Sequence, residues 1–216
     1  MAKVYDLSHK IENGMTFFPG DPRPRIVPCT AAPSPWAVSE LHLGTHTGTH
    51  IDAASHFVSG GKTIDQYPLE RFVLPGIVVS LLGLGDDQPV EMELLKNVLS
   101  ILPKGGAIVI RTDWDQFWGT DRYMRNPYLT PEAARGIVSA GAGLVGIDAL
   151  NIDSTAQASV HAHDILLGKD VLIVENLTKL AQLQSNKIYQ FSFLPLLMPT
   201  LDGSPVRAVA WEMDRA

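Results

Sequence analysis

Short runs of aliphatic and β-branched residues recur along the chain, separated by polar stretches that contain Gly and Pro. Runs of this length and composition are typical of β-strands. The pattern therefore predicts strands that build one or two sheets, in the following segments: Val38 to Leu43, Gly76 to Leu82, Ala107 to Thr112, Leu144 to Ile147, Val171 to Val174, Ile188 to Leu194 and Val206 to Trp211.

Helical patterns are fewer. The clearest runs from Pro131 to Ala140, where Thr130 suits the N-cap position and Pro131 suits the first helical position. Other helical segments are predicted at Glu91 to Leu99, Ala158 to Leu167 and Leu177 to Leu183. Helices mixed with a larger number of strands predict the α/β class, with mixed sheets and flanking helices.

Length, charge and cysteine content narrow the class of protein. The 216 residues suit one domain, and we expect a single domain over residues 1–216. The net charge of −6, without a basic cluster, argues against a nucleic-acid partner. No apolar stretch approaches the ~20 residues that span a bilayer, so we expect no membrane association. Cys29 is the only cysteine, and no secretion signal is visible, so we expect a reducing cytoplasm.

Histidines are concentrated in two windows, which hold six of the seven in the chain: His42, His46, His50 and His56 in the first, His161 and His163 in the second. The first window is rich in Thr and contains Asp52, a composition that favours extended backbone. Side chains alternate between the two faces of a strand, so an extended chain directs His46, His50, Asp52 and His56 to one face.

Distance is the difficulty with a fully extended chain, because four residues would separate His46 from His50 by ~13 Å. Gly48 lies midway between them, and a glycine within a strand often marks a bend, so we predict a kink there. Two imidazoles and the Asp52 carboxylate suit Zn²⁺, with Mn²⁺ or Fe²⁺ as alternatives, and leave positions open for water. A coordination position that is open to water indicates a catalytic metal site and not a structural one. His56 is either a further ligand or an acid/base, and His42 is interpreted as a structural strand residue.

At this point the segment from His46 to His56 resembles the signature of the cyclase family, which includes bacterial kynurenine formamidases and isatin hydrolases. The family pattern is His-x-Gly-Thr-His-x-Asp-x-Pro-x-His, and this chain departs from it only where Ala54 replaces the proline. The resemblance covers nearly the whole chain and continues through these segments: Phe18-Pro19-Gly20-Asp21-Pro22, Gly146-Ile147-Asp148, His163 to Gly168, and Glu175-Asn176-Leu177.

The resemblance implies which residues complete the site. In the formamidases, a late histidine and a glutamate twelve residues after it complete a two-zinc site, and His163 and Glu175 have that spacing. One ion would then be held by His46, His50 and Asp52, and a second by Asp52, His163 and Glu175, with His56 as the acid/base. Isatin hydrolases use a single manganese, so one or two ions remain possible. His161 is the alternative to His163 as the late histidine ligand, and the spacing to Glu175 favours His163.

The resemblance also implies a fold of the swivelling β/β/α type and a homodimer or higher homo-oligomer. The leading hypothesis is hydrolysis of an aryl formamide or related amide by metal-activated water. Ring opening of a cyclic amide or lactone, or a cyclase reaction, is the alternative, and a non-catalytic metal-binding scaffold is the third. Some of six aromatic residues could line a pocket for a small aromatic substrate: Phe17, Phe18, Trp36, Trp114, Phe117 and Trp118.

Overall fold

The computed structural model describes residues 3–29 and 36–213. Within these residues the chain forms thirteen strands, most of them short: β1 Val4–Asp6, β2 Arg25–Pro28, β3 Ser39–His42, β4 His50–Asp52, β5 Val73–Ser80, β6 Pro89–Val90, β7 Ala107–Arg111, β8 Tyr128–Leu129, β9 Leu144–Ile147, β10 Leu172–Glu175, β11 Ile188–Ser192, β12 Gly203–Pro205 and β13 Val209–Trp211. The same residues contain three α-helices: α1 Met92–Leu99, α2 Pro131–Ser139 and α3 His161–Leu167.

Short 3₁₀ helices connect several of these elements: Ala54–His56, Ile64–Gln66, Leu69–Arg71, Trp114–Phe117, Asp121–Met124 and Leu180–Gln182. None of the helices in the described part of the chain is long and apolar enough to span a bilayer.

Nine of the described strands form one mixed sheet, in the order β1-β13-β11-β5-β7-β9-β10-β4-β12. The central strands β5, β7, β9 and β10 are parallel to one another, and the strands on either side pair in antiparallel fashion. β2 and β3 form a separate antiparallel pair, and β6 and β8 a short parallel pair. β4, which contains His50 and Asp52, therefore lies inside the large sheet between β10 and β12.

Two hydrophobic cores lie on the two faces of this sheet. Alternate residues of a strand point to opposite faces, and in β7 Ile108 and Ile110 enter one core whereas Val109 enters the other. The first core is covered by the helices, and the second is closed by the outer strands, for example by Phe191 of β11. The helices contribute Leu95, Ile137 and Leu166, each of which is completely buried.

The predicted fold class is confirmed, since the chain folds as a mixed α/β domain with helices flanking a mixed sheet. Strands are present in all seven predicted segments, although their ends differ by a few residues. α2 begins directly after Thr130, and the Thr130 hydroxyl accepts a hydrogen bond from the Ala133 N–H at 3.2 Å, as expected of an N-cap. The extent of the domain, residues 1–216, stays a prediction.

Two helix predictions need correction. The segment Leu177 to Leu183 contains only a 3₁₀ turn at Leu180–Gln182, because its start is held in extended form by hydrogen bonds from Leu177 N to Ile147 O and from Thr178 N to Leu7 O. The helix predicted from Ala158 begins only at His161, since Ala158 has a positive φ of 50° that a right-handed helix does not accommodate.

A buried carboxyl group at the end of β9 generates a prediction about pH. Asp148 accepts hydrogen bonds from the backbone N–H groups of Thr112 and Asp113 and from the Thr112 hydroxyl. Burial raises the pKa of Asp148 from 3.8 to about 7, although these hydrogen bonds act in the opposite direction. Between these two pH values the folded chain therefore holds a proton that the unfolded chain has released.

We expect the contribution of Asp148 to the free energy of unfolding to be present at about pH 4 and lost as the pH rises to about 7, with a slope of up to about 1.4 kcal/mol per pH unit. Asp148→Asn removes this titration, so the stability difference between wild type and variant should change over this range. Urea denaturation at several pH values measures it. A difference that is the same at every pH would contradict the prediction.

Candidate metal centre

The first histidine window is not one long strand, which corrects the extended structure predicted from its composition. His46 lies in a turn, only His50–Asp52 forms a strand (β4), and Ala54–His56 is a 3₁₀ helix. The predicted bend at Gly48 is confirmed, because Gly48 has a φ of +63°. Turn, strand and 3₁₀ helix together bring the side chains closer than alternation along one strand would.

β4 holds its two polar side chains rigidly. His50 lies opposite Glu175 of β10 and opposite Pro205 of β12, so both edges of the strand are paired. His50 and Asp52 share one face, as residues two apart in a strand must, while Ile51 between them is completely buried in the core on the other face. The core contact of Ile51 thus fixes the direction in which the His50 and Asp52 side chains point.

Asp52 is the centre of two overlapping groups of potential ligands. His46, His50 and Asp52 form the first group, and Asp52, His163 and Glu175 form the second. Within each group the donor atoms all lie within 4.8 Å of one another. His163 comes from α3 and Glu175 from the end of β10, so the structure brings together all five residues that the sequence proposed as ligands.

Each of the three imidazoles donates its outer N–H to an oxygen that can only accept. His50 Nδ1 lies 2.8 Å from the Gly48 carbonyl oxygen, and His163 Nδ1 lies 2.8 Å from Asp153 Oδ2. His46 Nε2 lies 3.0 Å from Asp202 Oδ2. Because a carbonyl or an ionised carboxylate has no proton to give, these ring nitrogens carry the hydrogen. The inner nitrogens of the neutral rings are therefore the ones with lone pairs.

The inner nitrogens face carboxylate oxygens, which also carry lone pairs. His46 Nδ1 is 2.8 Å and His50 Nε2 is 3.2 Å from Asp52 Oδ1. His163 Nε2 is 3.5 Å from Asp52 Oδ2 and 3.4 Å from Glu175 Oε1. Facing lone pairs repel unless a positive charge lies between them, and either a proton or a metal ion supplies that charge. The donor set therefore fits a divalent cation.

When no cation is bound, protons supply the positive charge between the imidazoles and the carboxylates. The raised pKa values of two of the imidazoles reflect this. Burial lowers the pKa of His46, but the Asp52 carboxylate outweighs burial and the pKa rises to about 10. The pKa of His163 also rises to about 10, against the effect of burial, because of Asp153 and Asp52. Burial raises the pKa of Glu175 to about 7. Asp52 Oδ2 is buried without a hydrogen-bond partner among the described residues, which is a further sign that this cluster is built for an ion.

His56 lies at the edge of the cluster, at the end of the 3₁₀ helix that follows β4. Its ring centroid is 4.0 Å from that of His46 and 5.7 Å from that of His163. His56 Nδ1 is 3.2 Å from Asp202 Oδ2, and burial lowers the pKa of the imidazole. His56 belongs to neither of the two groups around Asp52, so its position suits proton transfer better than ligation of the same ion.

A cavity of about 310 Å³ opens onto the cluster. Phe17 and Phe18, proposed from the sequence as candidate wall residues, line it together with Phe57. The other aromatic candidates lie elsewhere. Trp114 is buried in the core, Phe117 packs against it, Trp118 stacks on His9, and Trp36 is exposed. The remaining wall combines the polar side chains of Asn151, Thr155 and Ser159 with the apolar side chains of Leu150 and Val160.

The structure also distinguishes between the histidines whose roles the sequence left undecided. His163 is buried at the cluster, whereas His161 at the start of α3 is exposed. His42 is exposed on β3 and contacts Glu40 at 3.0 Å, which fits the structural role predicted for it. Sequence reasoning missed Asp153 and Asp202, the outer partners of His163 and His46. Neither lies in a motif, and Asp202 is 156 residues from His46, so no local signal marks them.

Comparison with known proteins agrees with this arrangement. Residues 5–154 match the family described as "Putative cyclase". The chain belongs to this family. The family resemblance predicted from the sequence is thereby confirmed.

Individual relatives cover the whole chain or nearly all of it. The kynurenine formamidase of Bordetella petrii is 30% identical over 218 residues, which cover 99% of this chain and 100% of the formamidase. Isatin hydrolase A from Labrenzia aggregata, solved with benzyl benzoate, has a TM-score of 0.87 and 25% identity, and the match covers 99% of this chain and 94% of that one. A structure described as a potential metal-dependent hydrolase with cyclase activity has a TM-score of 0.84 and 26% identity, with both chains covered completely.

These relatives, together with the imidazole and carboxylate groups, confirm the prediction of a metal-dependent hydrolase that uses a divalent cation and acts on a small molecule.

The bend at Gly48 generates a prediction about metal binding. A Cβ atom at residue 48 would lie 3.0 Å from Met15 Cε on a backbone with positive φ, whereas Gly60 has a φ of +73° and nothing within 4 Å. Gly48→Ala and Gly60→Ala should therefore both cost about 1–2 kcal/mol of backbone strain. Only Gly48→Ala should also weaken the binding of a divalent cation, with Zn²⁺ as the probe, because it disturbs the turn between His46 and His50. Competition with a chelator measures the affinity, and equal affinities in the two variants would refute the prediction.

Proposed function

We propose that this protein hydrolyses a small aryl formamide, or a closely related amide, with the help of a divalent metal ion. The observation that carries the proposal is the arrangement around Asp52, in which three imidazoles turn their lone pairs towards shared, buried carboxylate oxygens. His46, His50 and Asp52 would hold one ion, and Asp52, His163 and Glu175 a second. Such a centre, next to a cavity with aromatic walls, supports hydrolysis of a planar amide.

Zn²⁺ is the ion that we propose, in one or two copies, with Mn²⁺ as the alternative. Imidazole nitrogens and carboxylate oxygens suit both ions, and three protein ligands in each group leave a coordination position open for water. When bound, such an ion supplies Lewis-acid activation of a water molecule and polarisation of the substrate carbonyl. The shared Asp52 carboxylate offers one oxygen to each group.

His56 is the residue that we assign to proton transfer. Its Nδ1–H is occupied by Asp202, so Nε2 is the nitrogen available to the cavity. His56 Nε2 would take the proton of the attacking water and return it to the leaving nitrogen as the C–N bond breaks. The products of this step are formate and an aryl amine. The pKa of His56 is lowered by burial, which keeps the imidazole neutral and able to accept a proton near neutral pH.

The substrate class follows from the relatives and from the walls of the cavity. The relative from Bordetella petrii is a kynurenine formamidase, and Phe17, Phe18 and Phe57 provide faces on which an aryl ring can pack. Ring opening of a cyclic amide is the second candidate, favoured by the structural similarity to isatin hydrolase A. Lactone opening and cyclisation would use the same groups. The complete ligand set argues against a non-catalytic scaffold.

Assembly and location remain part of the proposal. We infer a homodimer or higher homo-oligomer in the cytoplasm, with neither nucleic acid nor membrane as a partner. The lone cysteine, Cys29, is exposed and has no second cysteine in the sequence to pair with, which suits a reducing compartment. The net charge of −6 disfavours binding to phosphate backbones.

The two histidines of α3 form a matched pair for a test of the metal centre. His163→Ala should reduce the metal content of protein purified without chelator, because it removes a buried ligand, whereas His161→Ala alters an exposed side chain and should retain it. Inductively coupled plasma mass spectrometry gives the element and the number of equivalents per chain. If His163→Ala keeps the wild-type metal content, the second group of ligands is wrongly assigned.

Activity tests the reaction itself. The Zn²⁺-loaded protein should release aniline from formanilide, and His56→Ala should lower kcat by about 10²- to 10⁴-fold without loss of metal. His42→Ala, on the exposed face of β3, serves as the control and should behave as wild type. Faster turnover of isatin than of formanilide would favour the ring-opening alternative. If the Zn²⁺-loaded protein turns over neither compound, the hydrolase proposal is wrong and the non-catalytic scaffold hypothesis replaces it.

A further inference from the structure

Asp202 is a carboxylate that contacts both kinds of histidine in the proposed centre. Its Oδ2 atom lies 3.0 Å from Nε2 of His46, a proposed ligand, and 3.2 Å from Nδ1 of His56, the proposed acid/base. Asp202 is 156 residues from the first and 146 residues from the second along the chain. The same oxygen atom therefore accepts hydrogen bonds from two rings that differ in function.

These contacts determine which nitrogen of each ring carries a hydrogen. An ionised carboxylate only accepts, so His46 must present Nε2–H and His56 must present Nδ1–H to Asp202. An aspartate carboxylate is ionised at neutral pH, and both imidazoles present a ring nitrogen to the same oxygen atom of Asp202. In the ion-bound form that we propose, the remaining lone pairs would be Nδ1 of His46, which faces Asp52, and Nε2 of His56, which is left for the cavity.

The backbone around Asp202 is attached to the strand that contains His50 and Asp52. The Asp202 carbonyl accepts a hydrogen bond from Ala53 N at 2.8 Å. Gly203 lies opposite Asp52 in the β12–β4 pair. A Cβ atom at Gly203 would lie 2.8 Å from Ile51 O and 2.9 Å from His46 Cε1. Glycine at this position therefore lets the His46 ring lie against the backbone next to Asp202, and the backbone of Asp202 is attached to β4.

We propose that Asp202 is a positioning residue that orients His46 for the metal and His56 for the substrate through one shared oxygen atom. The metal half of this inference rests on the ligand assignment in the proposed function, and the kinetic half rests on the proposed reaction as well. A carboxylate that holds the outer nitrogen of a ligating imidazole fixes its orientation and raises its basicity, and loss of such a partner typically weakens metal binding by about 10- to 100-fold. The same carboxylate keeps the base nitrogen of His56 directed at the reacting atoms.

A merely structural carboxylate would behave differently, and Asp170 provides that comparison. The side chains of Asp170 and Asp202 are 39% and 38% exposed, and both carboxylates accept hydrogen bonds from side chains that are distant in sequence. Asp170 contacts Arg71 and Tyr67 and does not line the cavity. Asp170 has a φ of +60°, which asparagine tolerates well, so Asp170→Asn is the same chemical change away from the centre.

The experiment compares Asp202→Asn and Asp170→Asn with wild type in three measurements. Chelator competition gives the Zn²⁺ dissociation constant, and the visible absorption of the Co²⁺-substituted protein reports the ligand field. Formanilide hydrolysis at saturating Zn²⁺ gives kcat and KM separately. We expect Asp202→Asn to weaken Zn²⁺ binding by about 10- to 100-fold, to alter the Co²⁺ spectrum, and to lower kcat by about 10-fold or more with little change in KM.

Asp170→Asn should match wild type in all three measurements, whatever its effect on thermal stability. The proposal is overturned if Asp202→Asn binds Zn²⁺ as tightly as Asp170→Asn, or if its kcat at saturating Zn²⁺ equals that of Asp170→Asn. If wild type hydrolyses no amide, the proposed function fails, and Zn²⁺ affinity with the Co²⁺ spectrum then decides the role of Asp202. A wild-type Zn²⁺ affinity and spectrum in Asp202→Asn would refute that role.

Discussion

The buried carboxylate of Asp52 is the constraint on which the rest of this structure depends. An ionised group without solvent costs several kcal/mol unless opposite charge surrounds it. Here three imidazoles approach its two oxygens, and Glu175 adds a second buried carboxyl nearby. Such an assembly is stable only when a proton or a cation occupies the space between lone pairs. The need for a bound positive charge is therefore built into the fold.

The large sheet meets this constraint by placing β4 between β10 and β12. Pairing on both edges removes freedom from the backbone, and Ile51 anchors the strand in the opposite core. Because successive side chains of β4 alternate between its two faces, the polar residues face the cluster and the apolar residue faces the core. Glu175 lies at the end of β10, and α3 places His163 over the same edge. Each proposed ligand outside the motif therefore comes from β10 or from an element that packs directly against it.

The outer acceptors orient the imidazoles of the centre. The carbonyl of Gly48 and the carboxylates of Asp153 and Asp202 come from three separate segments, and each determines the tautomer of one imidazole. A ligand set that is oriented in advance loses little entropy when an ion or a substrate binds. The aromatic walls of the cavity then need only hold a flat substrate over atoms that are already in place.

Local sequence determined the parts of this protein that depend on near neighbours along the chain. The proposed ligands His46, His50 and Asp52 lie within one motif, the bend at Gly48 follows from the reach of an extended chain, and the N-cap of α2 follows from Thr130. Only the tertiary structure decided the short strand and 3₁₀ helix of the histidine window, the loss of a helix after Leu177, and the contacts of Asp202. Hydrogen bonds between segments that lie far apart in the sequence produce those features. Periodicity and spacing describe local preferences, and pairing between distant backbones overrides them because each buried polar group must find a partner.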